Sequence, residues 1–195
     1  MSQEKTVLTD TAGLIRHLQA WPEMKLIGID GLPVSGKSTL ADKLVEAFGA
    51  QVIYLDDFVL PQGEWPQPTK PAFPFPYMRH EAFFAAVETL ARTESCRYQL
   101  YDWETGGLGP WKEVQLGKAL VIVEGVSALS ERLTPLYDLK AWVESDAATT
   151  LQASIDRGVG SWEREWRDLF MPSVALYMET DPQKRADLVV AGRGT

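Results

Sequence analysis

The chain has 195 residues, 45% of them apolar and 24% charged, and carries a net charge of -8. This is the composition of a soluble globular protein, and the length predicts one domain spanning 1–195. The acidic field excludes broad nucleic-acid binding, the lone cysteine Cys96 excludes an internal disulfide and reads as apolar filler, and no apolar run reaches the ~20 residues of a membrane span.

The opening MSQEKTVLTD lacks the basic-then-apolar pattern of an export signal, so a cytoplasmic location is expected. A helix carrying His17 follows, with His17 in a structural role. Lys25–Asp30 (KLIGID) then reads as a buried strand. It runs directly into Gly31-Leu-Pro-Val-Ser-Gly36-Lys37-Ser38-Thr39, the pattern G-x-x-x-x-G-K-[ST] between a strand and a helix. Glycines there let the backbone fold tightly and aim its N–H groups at phosphate oxygens, and the helix N-terminus adds partial positive charge. Gly31, Ser35, Gly36, Lys37, Ser38 and Thr39 are therefore expected to hold a nucleoside triphosphate, which the resemblance below takes as ATP. Lys37 neutralises the outer phosphates and Ser38 supplies a hard oxygen to Mg²⁺. The chain contains no asparagine, so the guanine-reading Asn-Lys-x-Asp of GTPases is excluded.

Lys37–Phe48 predicts a helix, with Leu40, Leu44, Val45 and Phe48 on one face. Gln51–Leu55 predicts a second strand, ending in Asp56-Asp57. A carboxylate at that point can take the proton of an acceptor hydroxyl, or hold Mg²⁺ through water. Between Pro61 and Pro76 lie six of the 12 prolines, which excludes helix and central strand and predicts an irregular excursion over 61–76. His80–Arg92 predicts a helix, and His80 is either a reader of a base edge or phosphate or a surface histidine. Trp65, Phe73, Phe75 and Tyr77 in the excursion, with Tyr101, Trp103 and Trp111 in the next loop, are candidates for stacking on a flat acceptor.

Ala119–Glu124 is a third strand, whose terminal Glu124 is the expected second anchor for the metal, acting through water. Leu139–Glu144 and Ala186–Val190 complete the strands. Helices are predicted over Asp146–Asp156 and Ser161–Glu179, with Gly158-Val-Gly160 as a hinge between them. Arg157, Arg164 and Arg167 then lie either on a moving lid, about 156–168, able to offset charge on a transferring group, or on a solvated charged helix where Glu163 and Glu165 pair with Arg167 or Arg164. Strands alternating with helices imply an α/β fold, a parallel sheet covered on both faces, with ligands beyond the carboxyl ends of the strands. Ala191-Gly192-Arg193-Gly194 is the place to look for base recognition.

Taken in order, IGIDGLPVSGKSTLA, YLDDF, Tyr101-Asp102-Trp103, VIVEGVSAL, Arg157 and PQKRADLVV resemble the uridine kinase-like group of P-loop kinases, which includes kinases of nicotinamide riboside, pantothenate and phosphoribulose. The resemblance implies a P-loop kinase fold, with a five-stranded parallel sheet, flanking helices and a helical lid. It implies Asp56 as catalytic base beside Lys37, with Ser38 and Glu124 organising Mg²⁺. It also implies Tyr101 and Asp102 against a nucleoside and Arg157 closing over the phosphates; Trp103 and His80 remain substrate-side candidates from the residues themselves. The chain departs from the family's R-x-x-R-D lid pattern at Ser154 and Gly158, and Arg164 and Arg167 offer replacement charge. The expected activity is ATP-dependent transfer of a phosphoryl group to a small-molecule hydroxyl, a uridine- or cytidine-like nucleoside first. Pantothenate, nicotinamide riboside or a sugar phosphate is the alternative acceptor. A nucleotide-binding regulatory protein without transfer is the alternative class, and a homo-oligomer is compatible with the sequence.

Overall fold

The computed structural model describes residues 8–117, 119–146 and 162–194. Its centre is a parallel sheet of six strands: β1 (Leu8–Thr9), β2 (Leu26–Gly31), β3 (Gln51–Tyr54), β6 (Val121–Glu124), β7 (Leu139–Glu144) and β8 (Leu188–Ala191). The spatial order is β1-β8-β7-β2-β6-β3. All five strands read from sequence are present and parallel. The sixth, β1, is a two-residue strip paired to β8 at the edge.

Side chains alternate across the sheet, which separates two cores. Ile27 and Ile29 of β2, Val52 of β3 and Ile122 of β6 face α1 (Thr11–Ala20) and α2 (Lys37–Phe48), where they meet Leu14, Leu18, Leu40 and Leu44. Leu26, Ile53, Val121 and Val123 face the other way, toward α3 (His80–Thr93) and α4 (Met171–Met178). α1 is capped by Asp10, whose carboxylate accepts from the Gly13 amide at 2.7 Å. α2 ends on Gly49 at φ 63, the left-handed C-terminal cap that glycine takes without strain.

One feature corrects the sequence reading and another refines it. The segment taken as a loop around Tyr101 is an antiparallel hairpin of β4 (Ser95–Asp102) and β5 (Gly107–Gln115). Gly107, Gly109 and Pro110 disguised it, because each of those residues argues against a strand interior. The helix read over Ser161–Glu179 is present as an unbroken helical run from Glu163 to Met178, in which a π-helical stretch, Trp166–Phe170, separates a first α-helical turn, Glu163–Glu165, from α4. Residues 147–156 of the other expected helix, and the Gly158–Gly160 hinge, lie outside the described residues. The excursion is irregular as expected, with a short 3-10 turn at Gln62–Glu64. Among the described residues no helix is long and apolar enough to cross a membrane.

Candidate active site

Register brings the chemistry together. β6 lies between β2 and β3, and its last residue, Glu124, is paired with Ile29 on one side and Tyr54 on the other. Asp30 and the phosphate loop follow Ile29 directly, and Asp56 follows Tyr54 by two residues. All three segments therefore leave the same edge of the sheet side by side. Gly125 makes the approach possible: a Cβ there would stand 2.4 Å from the Leu55 Cβ, in the turn that carries Asp56.

The phosphate loop is wound to receive a ligand. Gly36 has φ 107, a conformation glycine tolerates, and opens α2 with nothing within 4 Å of where its Cβ would point. Val34 has φ 61, which a β-branched residue adopts only when the surroundings impose it, at a cost of about 1–3 kcal/mol. The loop is pinned by the Ser35 amide donating to Leu32 O (3.2 Å) and by the Arg193 amide donating to Ser35 O (3.0 Å). The Ser35 hydroxyl is buried without a hydrogen-bond partner. Lys37 is buried, its ammonium folded back onto Leu32 O at 2.7 Å, while Ser38 and Thr39 are exposed on the first turn of α2. An orphaned hydroxyl, an open Gly36 and a cation at a helix N-terminus fit a polyphosphate.

The carboxylates divide their work. Glu124 is buried, and its pKa is pushed up to about 7, first by burial, with Lys37 opposing and Asp56, Asp30 and Asp42 adding repulsion. That environment favours a cation beside it. Among the described residues no three His, Cys, Asp or Glu side chains form a ready metal cage. A donor set of one hydroxyl and carboxylates acting through water suits Mg²⁺, which keeps much of its hydration shell.

Asp56 faces solvent, close enough to Glu124 and Tyr77 to raise the pKa of both. Its neighbour Asp57 is engaged by the hairpin, accepting from the Tyr98 hydroxyl (3.0 Å) and from Lys112 (3.4 Å). So the acidic pair resolves into an outward-facing Asp56 and a structural Asp57.

Asp30 was missed by sequence reading. It is fully buried and accepts from the amides of Gly31 (2.7 Å), Ser127 (3.2 Å) and Leu129 (2.8 Å) and from the Tyr177 hydroxyl (2.6 Å). Burial raises its pKa against the pull of those bonds. The signal was an acidic residue closing an otherwise apolar strand immediately before the glycine-rich loop.

On the acceptor side the expectations divide. Tyr101 is buried at the end of β4 with its ring 4.9 Å from that of Trp103, which is 65% exposed. Asp102 accepts from the Glu104 amide (2.9 Å) and the Thr105 hydroxyl (2.7 Å), closing the hairpin turn. Trp111 lies on β5, exposed, beneath the Arg97 guanidinium at 4.7 Å.

His80 is not a surface residue. It is buried among the rings of Phe73, Phe75 and Phe84, with both nitrogens unpartnered and a pKa lowered to about 4 by burial. Trp65, Phe75 and Tyr77 are also buried, packed against one another and against Trp162 and Phe170. Those aromatics form core rather than an open slot. Arg164 and Arg167 are exposed beside Asp168, at 3.9 Å and 3.4 Å, and Arg157 lies outside the described residues.

A groove of about 280 Å³ opens between α2 and the end of β8, lined by Ser35, Gly36, Thr39, Lys43, Ala191 and Arg193. The Ala191–Gly194 segment thus stands beside the phosphate loop. A second groove, about 250 Å³, is lined by Leu18, Pro22, Met24 and Phe48 at the opposite edge of the sheet, away from Glu124.

Residues 77–169 match the family described as Phosphoribulokinase / Uridine kinase family. A uridine kinase of Saccharomyces cerevisiae is 25% identical over 194 residues, covering 90% of this chain, and the chain spans about 38% of that relative. A uridine kinase of Bacillus pumilus is 27% identical over 184 residues, covering 87% of each. A solved structure described as a possible uridine kinase from Bacillus stearothermophilus superposes with a TM-score of 0.69 at 23% identity, over 92% of this chain and 96% of that one. The last likeness shows the P-loop kinase fold. The family match and the two sequence relatives bear out the resemblance to the uridine kinase-like family.

Proposed function

From its likeness to the uridine kinase-like family, we propose that this chain is an ATP-dependent kinase that phosphorylates a hydroxyl of a small metabolite, with a nucleoside as the leading acceptor. The observation that carries this reading is the convergence of the phosphate loop, Glu124 and Asp56 at one edge of the sheet, fixed by the pairing of Glu124 with Ile29 and Tyr54. The sequence relatives named as uridine kinases support the nucleoside, as do Tyr101 and the exposed Trp103 beside Asp102.

In this reading the loop amides and Lys37 hold the triphosphate. Lys37 exchanges Leu32 O for phosphate oxygens. The groove lined by Thr39, Lys43 and Arg193 takes the nucleotide's base and sugar. Ser38, with Glu124 and Asp56 through water, would hold Mg²⁺, which supplies charge neutralisation to the phosphates. Asp56 orients the acceptor hydroxyl in line and receives its proton. Because such transition states are loose, placement of the hydroxyl matters more than basicity. Arg157, Arg164 and Arg167 add positive charge from the lid side.

The test is ADP release from Mg·ATP across nucleosides, pantothenate, a sugar phosphate and nicotinamide riboside, with Asp56→Asn in parallel. One acceptor should stimulate turnover, and Asp56→Asn should lower kcat about 10²–10⁴-fold, a larger effect than its loss of Mg·ATP affinity. Nucleotide binding with no acceptor stimulating release would favour a regulatory nucleotide-binding protein.

A further inference from the structure

Among the side chains that tie the turn carrying Asp56 to the hairpin, Arg79 makes the most backbone contacts, and the proposed chemistry does not use it. Arg79 stands just ahead of α3, and its own amide donates to Phe58 O at 2.7 Å. Its Nη2 donates to Asp57 O (2.9 Å) and to Gln99 O (2.7 Å), and its Nε donates to Val59 O (3.2 Å). The guanidinium carbon lies 5.5 Å from the Phe58 ring centroid.

These acceptors belong to two elements distant in sequence, the Leu55–Phe58 turn with the residue after it, and β4. A planar fork of five donors can span such a set, whereas an ammonium cannot. Burial lowers the pKa of this guanidinium, so a charge sits here at a cost that a plain core contact would not require.

The point of attachment on β4 is specific. The pairing of β4 with β5 slips between Gln99 and Tyr101, an irregularity that redirects the strand just before the tyrosine. Arg79 grips the last carbonyl before that slip. On the other side it grips the carbonyl next to Asp56. Asp57 is further braced by Tyr98 and Lys112, both from the same hairpin. Base-bearing turn and acceptor-side hairpin are thus locked to one guanidinium.

Building on the kinase reading, we propose that Arg79 is a positioning residue: it sets the distance and angle between Asp56 and the Tyr101 end of the hairpin, so that a bound acceptor presents its hydroxyl to Asp56. Arg79 touches neither nucleotide nor metal in this scheme, because the phosphate loop and Lys37 belong to β2 and α2.

The test uses the full chain with Arg79→Lys and Arg79→Met. With the acceptor identified in the panel, kcat falls on the order of 10²-fold in both variants, acceptor KM rises, and the KM for Mg·ATP stays within about twofold. Hydrogen–deuterium exchange of the nucleotide-free protein reads the clamp without catalysis. Amides of 57–60 and 99–102 should accelerate together, about tenfold or more, while 26–31 and 37–48 hold their protection. Wild-type kcat in Arg79→Lys would overturn the proposal, since charge alone would then suffice. So would acceleration in only one segment, or an equal rise in both Michaelis constants. If no acceptor stimulates wild-type turnover, the kinase reading fails by itself, and the exchange experiment alone decides whether Arg79 couples the two segments.

Discussion

The two faces of the sheet are built from different materials. Under α1 and α2 the buried core is aliphatic: Leu14, Leu18, Ile27, Ile29, Leu40 and Leu44. Under α3, α4, the excursion and the hairpin it is rich in rings, among them Phe58, Trp65, Phe83, Tyr98 and Tyr177. The aliphatic face backs α2, the helix of the phosphate loop, whose proposed grip on a ligand uses backbone amides and Lys37, so its side chains need only hold α2 against the strands. The aromatic face packs together the separate pieces of chain, the Asp56 turn, α3 and β4, that the proposed function places on the acceptor side. Rings with fixed geometry, Phe58 stacked on Tyr98 at 4.6 Å and edge-on to Phe83 at 5.4 Å, set those pieces at defined angles.

The sharpest break of this comparison is Phe58→Ala. Phe58 is fully buried where the Asp56 turn, α3 and β4 meet. Its removal should cost about 3–5 kcal/mol, read as a shift of the urea midpoint. Phosphoryl transfer should suffer with it, while Mg·ATP affinity of the folded fraction stays near wild type. Leu44→Ala, on the aliphatic face, should cost about 2–5 kcal/mol and leave the acceptor KM alone. Nucleotide affinity that drops as far in Phe58→Ala as transfer does would show the two faces to be one unit.

The same contrast explains what the sequence revealed. Strand, glycine loop and helix are contiguous from Leu26 to Phe48, and local rules specify each, so this stretch of the fold, with Lys37 and Ser38 at the start of α2, was legible. Glu124 was legible as the end of an aliphatic run. What escaped reading depends on partners far along the chain. Trp65 and Tyr77 look like free stacking platforms until Trp162 and Phe170 cover them. His80 looks like a helix-start surface residue until Phe73 and Phe75 return over it. β4 did carry a usable signal, since Cys96 and Tyr98 are buried between exposed Arg97 and half-buried Gln99, but the glycines and proline of β5 outweighed it. Asp30 was passed over because its bonds to Leu129 and Tyr177 span 99 and 147 residues.

His80 gives the next prediction, confined to the aromatic face. Its pKa is lowered to about 4 by burial among rings. Between pH 6.5 and 4 the unfolded chain takes up a proton that the folded chain refuses, so this residue's contribution to stability is intact above pH 6.5 and is lost as pH falls through that window. The full effect is about 3 kcal/mol. His80→Leu should flatten this part of the pH profile in urea titrations at pH 7 and pH 4.5. At pH 7 it should match or exceed wild type, because two buried nitrogens without partners are removed. An unchanged acid sensitivity in His80→Leu would place the responsible group elsewhere.

Tyr177→Phe asks whether the faces communicate. Tyr177 belongs to the aromatic core, with Phe73 at 4.7 Å, yet its hydroxyl reaches Asp30 at 2.6 Å, and Asp30 in turn holds the Gly31 amide where the phosphate loop begins. Removing the hydroxyl leaves the ring packing intact and costs one hydrogen bond to a buried carboxyl, about 1–3 kcal/mol. The three amides that remain on Asp30 keep it from being left unsatisfied, which argues for the lower half of that range. If the junction matters to the cradle, Mg·ATP affinity should fall a few-fold, on the order of 1 kcal/mol, with acceptor KM unchanged. A stability loss with unaltered nucleotide affinity would mean that Asp30 anchors α4 to the sheet and nothing more, and that the aromatic face acts on the chemistry only through the Asp56 turn.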